Sequence, residues 1–545
     1  MIRCVSYARS SALSVPPSDA PLPFAARTIP GLVRESAARF GAAPFLEDGP
    51  ARLSFADFAD AALAATRAFL AAGIAPGDRV AIWAPNRWEW VVAAAGLQGA
   101  GAVLVPINTR LKGREAGFVL RRSRARVLVT VGGAFLGTDY VAALRGQALP
   151  HLERIVALGA AAAGAQAWDD FLAGGAAVPE AAARARAEAV GPDDLSDLLF
   201  TSGTTGQPKG VMTAHGQNLR AFAAWSEVVG LRTGDRYLVV NPFFHAFGYK
   251  AGWLSCLMRG ATVLPHAVFD VPAVLARVGR ERVTVLPGPP TLYQSILAHP
   301  ERPRFDLSPL RLAVTGAAAI PVELIHRMRD ELGFETVITG YGLTECCGIV
   351  SMCRFDDDPE TIARTSGRAL PGIEVRCVDG DGEEVPRGTP GEVVVRGYNV
   401  MRGYFEEPEE TARTIDAGGW LHTGDVAVMD ERGYLRITDR IKDMFIVGGF
   451  NCYPAEIENL LYESGWFAAV AVAGVPDERL GEVGMAWVVP APGRRFTPED
   501  VIAWCRGQMA NYKVPRRVEI VDQLPVNAAG KVMKFVLRHR AAGSG

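Results

Sequence analysis

The residues Leu199-Phe200-Thr201-Ser202-Gly203-Thr204-Thr205-Gly206-Gln207-Pro208-Lys209-Gly210-Val211 form the stretch of this chain best suited to chemistry. An apolar, strand-like run ends at Phe200; hydroxyls, glycines and a lysine follow. Glycines let a backbone turn its N–H groups onto phosphate oxygens at close range. Thr201, Ser202, Thr204 and Thr205 add hydroxyl donors around Gly203 and Gly206, and Lys209 adds a point charge. The chemistry implied is phosphate binding. A Walker A loop needs Ser or Thr after its lysine, and Gly210 stands there instead. A solvated Gly/Ser/Thr loop is the bland alternative, and the partners found downstream argue against it.

Four further constellations follow along the chain. They are Asn241-Pro242-Phe243-Phe244-His245-Ala246-Phe247-Gly248, Gly340-Tyr341-Gly342-Leu343-Thr344-Glu345, Trp420-Leu421-His422-Thr423-Gly424-Asp425 with Arg440 beyond it, and Pro525-Val526-Asn527-Ala528-Ala529-Gly530-Lys531. Each has an ordinary explanation when taken alone. A histidine among phenylalanines is usually a satisfied core residue, an isolated Asp or Arg is usually solvated, and a Lys near a C-terminus is usually on the surface. In this order and spacing, over about residues 28–540, they resemble the signature set of the adenylate-forming superfamily: acyl-CoA synthetases, peptide-synthetase adenylation domains and beetle luciferases.

The resemblance implies an enzyme using ATP, Mg²⁺ and CoA to convert a small carboxylic acid into its thioester through an acyl adenylate. It places Tyr341 against adenine with Gly340 and Gly342 beside it, Thr344 on the α-phosphate, and Glu345 on Mg²⁺. A carboxylate suits a hard cation that neutralises phosphate charge. Asp425 would accept the ribose hydroxyls, and Arg440 would take the other ribose face or a phosphate. Lys531, with Thr204, His245 and Glu345, would be catalytic; Lys531 stabilises charge present only in the transition state. His245 would gate the thiol's path. Ala317, Phe247, Lys250 and Cys346 would join His245 in the acyl pocket. Lys442 would be the hinge of a swinging small domain, and Gly448-Gly449-Phe450-Asn451 would line the pantetheine tunnel.

Strings outside the ATP motifs narrow the resemblance to CoA ligases of actinobacterial steroid breakdown, which act on a propanoate attached to a methyl-hydrindane dione. They include Phe247-Gly248-Tyr249-Lys250, Val285-Leu286-Pro287-Gly288-Pro289-Pro290-Thr291, Met352-Cys353-Arg354 and Tyr453-Pro454-Ala455-Glu456. Medium-chain fatty acids and aryl acids are the alternative substrates. A luciferase-like oxidase and a carrier-protein loader are the alternative functions. Lys250 admits two readings: it meets a polar group of the acid, or it pairs with a nearby carboxylate, because burying an unpaired lysine is costly.

The elements that must position these residues follow from pattern. Apolar runs near Val80–Trp83, Ala102–Val105, Val127–Val131, Ile155–Ala157, Leu198–Phe200, Tyr237–Val240, Thr262–Leu264, Val283–Leu286, Leu312–Val314 and Val337–Thr339 alternate with helical segments. That predicts an α/β fold with a large N-terminal domain of βαβ-type parallel sheets. A β-rich subdomain follows from about residue 370. The expected organisation is a flexible extension over 1–27, a large domain over 28–439, a hinge at 440–443 and a small mobile α+β domain over 444–545.

The formal net charge of −2 gives no electrostatic reason to expect a nucleic acid or an anionic membrane. The uncharged stretch Trp90–Ile107 reads as a buried helix running into a buried strand rather than as a membrane span. The N-terminus lacks the continuous apolar region of a signal peptide. Eight scattered cysteines without a C-x-x-C pair fit a reducing cytoplasm better than a disulfide scaffold or a metal cluster.

Overall fold

The computed structural model describes residues 22–201, 208–316, 320–440, 443–447, 450–477, 480–509, 511–526 and 532–542. Regular structure opens with helix α1 (Ile29–Phe40), where the Thr28 side chain accepts a hydrogen bond from the Gly31 N–H at 3.2 Å. A threonine cap followed by Pro30 in the first turn is a strong helix start.

Strand β1 (Arg79–Trp83) leads through helix α2 (Trp88–Gly99) to strand β2 (Val103–Pro106). Nearly every residue of α2 is buried, as expected of a helix apolar on all sides. The helix-into-strand expectation for Trp90–Ile107 therefore holds, and no described helix is long and apolar enough to cross a membrane. Strands β3 (Ala125–Gly132) and β4 (Arg154–Gly159) extend the sheet in parallel in the order β2-β1-β3-β4. Strand β5 (Leu195–Thr201) joins the β2 edge in parallel and returns antiparallel as β6 (Lys209–Ala214), which feeds helix α3 (His215–Val228).

A second sheet combines Pro44–Asp48, Ala51–Ser54, Arg236–Val239 and Thr262–Pro265. Strands β7 (Leu312–Gly316) and β8 (Thr336–Tyr341) pair in parallel, with Gly316 opposite Gly340. The expected strand Val283–Leu286 is reduced to single bridges from Val285 to Tyr237 and to Leu312. Pro287, Pro289 and Pro290 immediately follow, and proline cannot donate to a ladder.

The β-rich region is an antiparallel sheet in which Ile373–Val378 and Pro390–Gly397 pair, followed by β10 (Leu421–Met429) and β11 (Leu435–Arg440). The short strand β9 (Gly403–Tyr404) lies between these in sequence but leaves that sheet to pair with β6. Helix α4 (Pro408–Thr414) follows β9.

From Phe445 onward a separate five-stranded sheet forms, with helices Pro454–Glu463, Pro498–Gln508 and Lys534–Ala542. The apolar core divides in the same way. One cluster runs from Phe24 to Leu435, and two smaller ones begin at Phe445 and Ala471. The α/β class with parallel sheets, a β-rich region and a C-terminal α+β unit is as the sequence predicts.

Candidate active site

The phosphate string is a hairpin. Thr201, the last residue of β5, pairs with Lys209, the first of β6. The ladder thus holds Lys209 at the mouth of the turn; Ser202, Gly203, Thr204, Thr205 and Gly206 lie outside the described residues. The Lys209 ammonium pairs with the Glu410 carboxylate of α4 and sits 5.1 Å from the centre of the Tyr404 ring.

Gly340 and Tyr341 end β8. A short 3₁₀ turn then carries Thr344 and Glu345, with Gly342 between. A side chain on Gly342 would place its Cβ 2.2 Å from the Gly348 carbonyl oxygen, so glycine is required where these two backbones touch. The Glu345 carboxylate accepts a hydrogen bond from the Tyr404 hydroxyl at 2.9 Å, and its main-chain carbonyl accepts one from the Met401 N–H at 2.9 Å.

Asp425 is buried in β10, opposite Arg440 of β11. Gly424 before it has φ +70°, and Thr423 accepts the Asp425 N–H at 3.0 Å. Glu392 fixes this turn from the neighbouring strand, accepting the Gly424 N–H at 3.0 Å and contacting His422 Nδ1 at 2.8 Å. The Tyr341 hydroxyl donates to Asp425 Oδ2 at 2.5 Å. Residues 84 positions apart are thereby joined. Burial, and then the Asp425 charge, hold the Tyr341 phenol well above its ordinary pKa, so it stays a donor.

His245 caps a one-turn helix and accepts the Phe247 N–H on Nδ1 at 3.2 Å. Its ring keeps accessible surface although protein surrounds it, as a side chain lining a cleft does. That surrounding protein, and then the Lys250 ammonium, hold its pKa below the ordinary value, so the imidazole is neutral at pH 7. Asn86 pins the loop: its amide donates to the carbonyls of Val239 and Asn241 at 3.0 and 2.9 Å and accepts the Phe243 N–H at 2.7 Å. Phe247 is half-buried beside it.

Of the acyl-pocket expectations, that for Lys250 needs correction. Lys250 has no accessible surface; its Nζ lies 3.1 Å from Asp197 Oδ1 and donates to Thr213 Oγ1 at 3.0 Å. Asn218 and Ser196 complete this buried cluster through Asp197 Oδ2, at 2.6 and 2.8 Å. The ammonium is committed to the hairpin strands β5 and β6, which is the pairing reading of a buried lysine, and it presents nothing to an acid. Cys346 is also fully buried, and burial pushes its thiol pKa well up.

Ala317, Lys442, Gly448, Gly449 and Lys531 lie outside the described residues, and of Arg440 only the backbone position is described. The geometry brings together Lys209, Glu345, Tyr341 and Asp425. Sequence reading missed Asn86, Glu392, Tyr404 and Glu410, whose partners are far off in sequence and carry no fixed spacing.

Residues 33–405 match the AMP-binding enzyme family, and residues 456–531 match the AMP-binding enzyme C-terminal domain. The chain is 53% identical to the 3-[(3aS,4S,7aS)-7a-methyl-1,5-dioxo-octahydro-1H-inden-4-yl]propanoyl:CoA ligase of Rhodococcus jostii, over 94% of this chain and 98% of that one. It is 52% identical to the ligase of the same name from Mycobacterium tuberculosis, over 89% and 94% of the two chains. Among solved structures it resembles the anthranilate CoA ligase AuaEII in complex with anthranoyl-AMP, with TM-score 0.84 and 29% identity, covering 97% of this chain and 99% of that one. The order of motifs, the fold that gathers them and these matches over nearly the whole chain agree: the protein belongs to the AMP-binding enzyme family and is an AMP-forming acyl-CoA synthetase.

Proposed function

We propose that the acid is a propanoate carried on a steroid-derived methyl-hydrindane dione, and that the product is its CoA thioester. The observation that carries this reading is the 53% identity, over nearly all of both chains, to a ligase named for that acid.

In the first half-reaction a carboxylate oxygen attacks the α-phosphorus of ATP, and pyrophosphate leaves. Lys209, with the donors of the 201–206 turn, holds the phosphate tail. Tyr341 packs against adenine, while Asp425 and Arg440 take the ribose. The Tyr341–Asp425 contact supports this division, because one hydrogen bond fixes the adenine-facing ring against the ribose-facing carboxylate. Thr344 and Lys531 hold the α-phosphate as charge builds there, which lowers the barrier only if they bind the transition state more tightly than the ground state.

Glu345 is a hard oxygen ligand held in place through both its carboxylate and its carbonyl, which suits Mg²⁺. When bound, Mg²⁺ would neutralise phosphate charge. In the second half-reaction the CoA sulfur attacks the acyl carbon, AMP leaves, and the thiol proton is lost to water. A neutral His245 moves aside more readily than a charged one, because it carries no ion pair to break. Lys442 acts as hinge between the half-reactions, and Gly448 and Gly449 pass the pantetheine arm. The seven described cysteines are all buried and scattered through the fold, which fits a reducing cytoplasmic setting.

The test is a thioester assay with ATP and CoA across hydrindane-dione propanoates, medium-chain fatty acids and aryl acids. The highest kcat/KM belongs to the ring propanoate. A higher value for a medium-chain or aryl acid would defeat the substrate assignment. Light emission or oxygen uptake would favour the oxidase alternative, and preference for a carrier protein over CoA would favour the loader.

A further inference from the structure

One short segment reaches both phosphate-handling groups of the site. The Met401 N–H donates to the Glu345 carbonyl at 2.9 Å. Two residues on, Gly403 has φ +128°, and a Cβ there would meet Thr411 at 2.8 Å, so the chain turns tightly against α4. Tyr404 pairs in register with Val211 of β6, the strand that begins at Lys209. Its N–H donates to Thr411 Oγ1 at 2.9 Å, which fixes the ring's origin. From there its hydroxyl reaches Glu345 at 2.9 Å, and its ring faces the Lys209 ammonium at 5.1 Å, within cation–π range. Six residues further, Glu410 pairs with Lys209 and also with Arg413. The Lys209–Glu410 pair is half-buried, with side chains 24% and 29% exposed.

The geometry points to residues 401–410 as a bracket for the ATP tail: Tyr404 is a positioning residue that spaces Lys209 from Glu345, and the Glu410 carboxylate competes with the phosphate oxygens for Lys209. The proposal rests on the adenylation reading of Lys209 and Glu345. A carboxylate and a phosphate oxygen make the same charge-assisted contact with an ammonium, so one displaces the other. Lys209 is then held aimed at the tail position by Tyr404 even while Glu410 leaves it. Glu410 already pairs with Arg413 through its other oxygen and keeps that partner when it leaves Lys209, so the carboxylate is not left bare.

Two full-chain variants test this. Glu410→Gln keeps the shape and removes the competing charge. Calorimetric titration with ATP alone then gives a Kd about two- to five-fold tighter than wild type, the range set by a partly exposed ion pair. Unchanged or weaker ATP binding would overturn the competition. Tyr404→Phe removes only the hydroxyl that holds Glu345. In acid-dependent ATP–pyrophosphate exchange, its KM for ATP rises about ten-fold while the KM for the acid stays at the wild-type value, as expected for one lost hydrogen bond to a charged group. An unchanged ATP KM, or a joint rise of both KM values, would overturn the positioning role. A wild-type chain that binds ATP but exchanges pyrophosphate with no acid defeats the adenylation reading instead, while the Glu410→Gln titration still reports on the competition.

Discussion

Lys250 and Asp197 are each fully buried, and each neutralises the other. Desolvating two charges is expensive, and removing one partner leaves the other bare, at a cost of about 3–5 kcal/mol. Lys250→Met is therefore expected to lower the thermal midpoint sharply. Lys250→Met combined with Asp197→Leu is expected to recover part of the loss, with differential scanning calorimetry as the check. The selectivity between oxo-acids and plain fatty acids is expected to be unchanged in any Lys250 variant that stays folded, because the ammonium faces the hairpin. In the proposed mechanism Lys531 belongs to the other kind of residue, whose value lies in the transition state. Lys531→Ala is expected to cut adenylate formation by about 10²–10³-fold, as loss of a transition-state donor does. Thioester formation from supplied acyl adenylate is expected to remain, and single-turnover assays of each half-reaction distinguish the two.

At the scale of elements, the turn carrying His245 depends on glycine. A Cβ on Gly248 would lie 2.2 Å from the Pro242 carbonyl oxygen and 2.4 Å from that of Asn241. Both are backbone atoms that Asn86 holds in place through the 241 carbonyl and the 243 amide. Gly248→Ala is expected to push the one-turn helix away and misplace His245. Thioester formation then falls more than pyrophosphate exchange, and equal loss in both would show a general misfolding of the turn. The segment just beyond is a π-helix, Tyr249–Leu254, with a non-helical Gly252 inside it. Such bulges cluster at functional sites. Here the bulge lies beside His245 and includes Lys250, which binds β5 and β6; one irregular helix thus links His245 to the β5–β6 hairpin.

For the whole molecule, two buried histidines weaken the fold toward acid pH. His215 is buried and accepts the Ile29 N–H on Nδ1 at 3.3 Å, and burial pulls its pKa to about 4. His266 is pulled to about 4 by burial and then by Arg277. Both take up protons near pH 6.5 when unfolded, so the unfolded chain binds more protons between pH 6.5 and 4. The stability these two histidines contribute is therefore constant above about pH 6.5 and falls as pH drops toward 4. Thermal midpoints from pH 7.5 to 4.5 check this, and His215→Gln is expected to give a shallower slope. The small C-terminal unit poses a different whole-molecule question, because the proposed mechanism assigns Lys531 to the first half-reaction and the Gly448-Gly449 loop to the second. Lys442→Pro fixes the backbone at the proposed hinge. It is expected to spare adenylate formation and cripple thioester formation, measured separately.

The sequence by itself determined the α/β class, the order of the motifs and membership of the AMP-binding enzyme family. Glycines, hydroxyls and a lysine at fixed spacing on one hairpin are a local signal, and so is Gly340-Tyr341-Gly342 ahead of Glu345. It also posed the choice for Lys250 correctly, as pocket lining or ion pair, without being able to choose. Only the tertiary structure decided that choice, because Asp197 lies 53 positions before Lys250 and reaches it through the β5–β6 ladder rather than through any spacing. The same reason hid Tyr404 and Glu410. Strand β9 crosses from the β-rich region to pair with β6, and that register alone sets a tyrosine between Lys209 and Glu345.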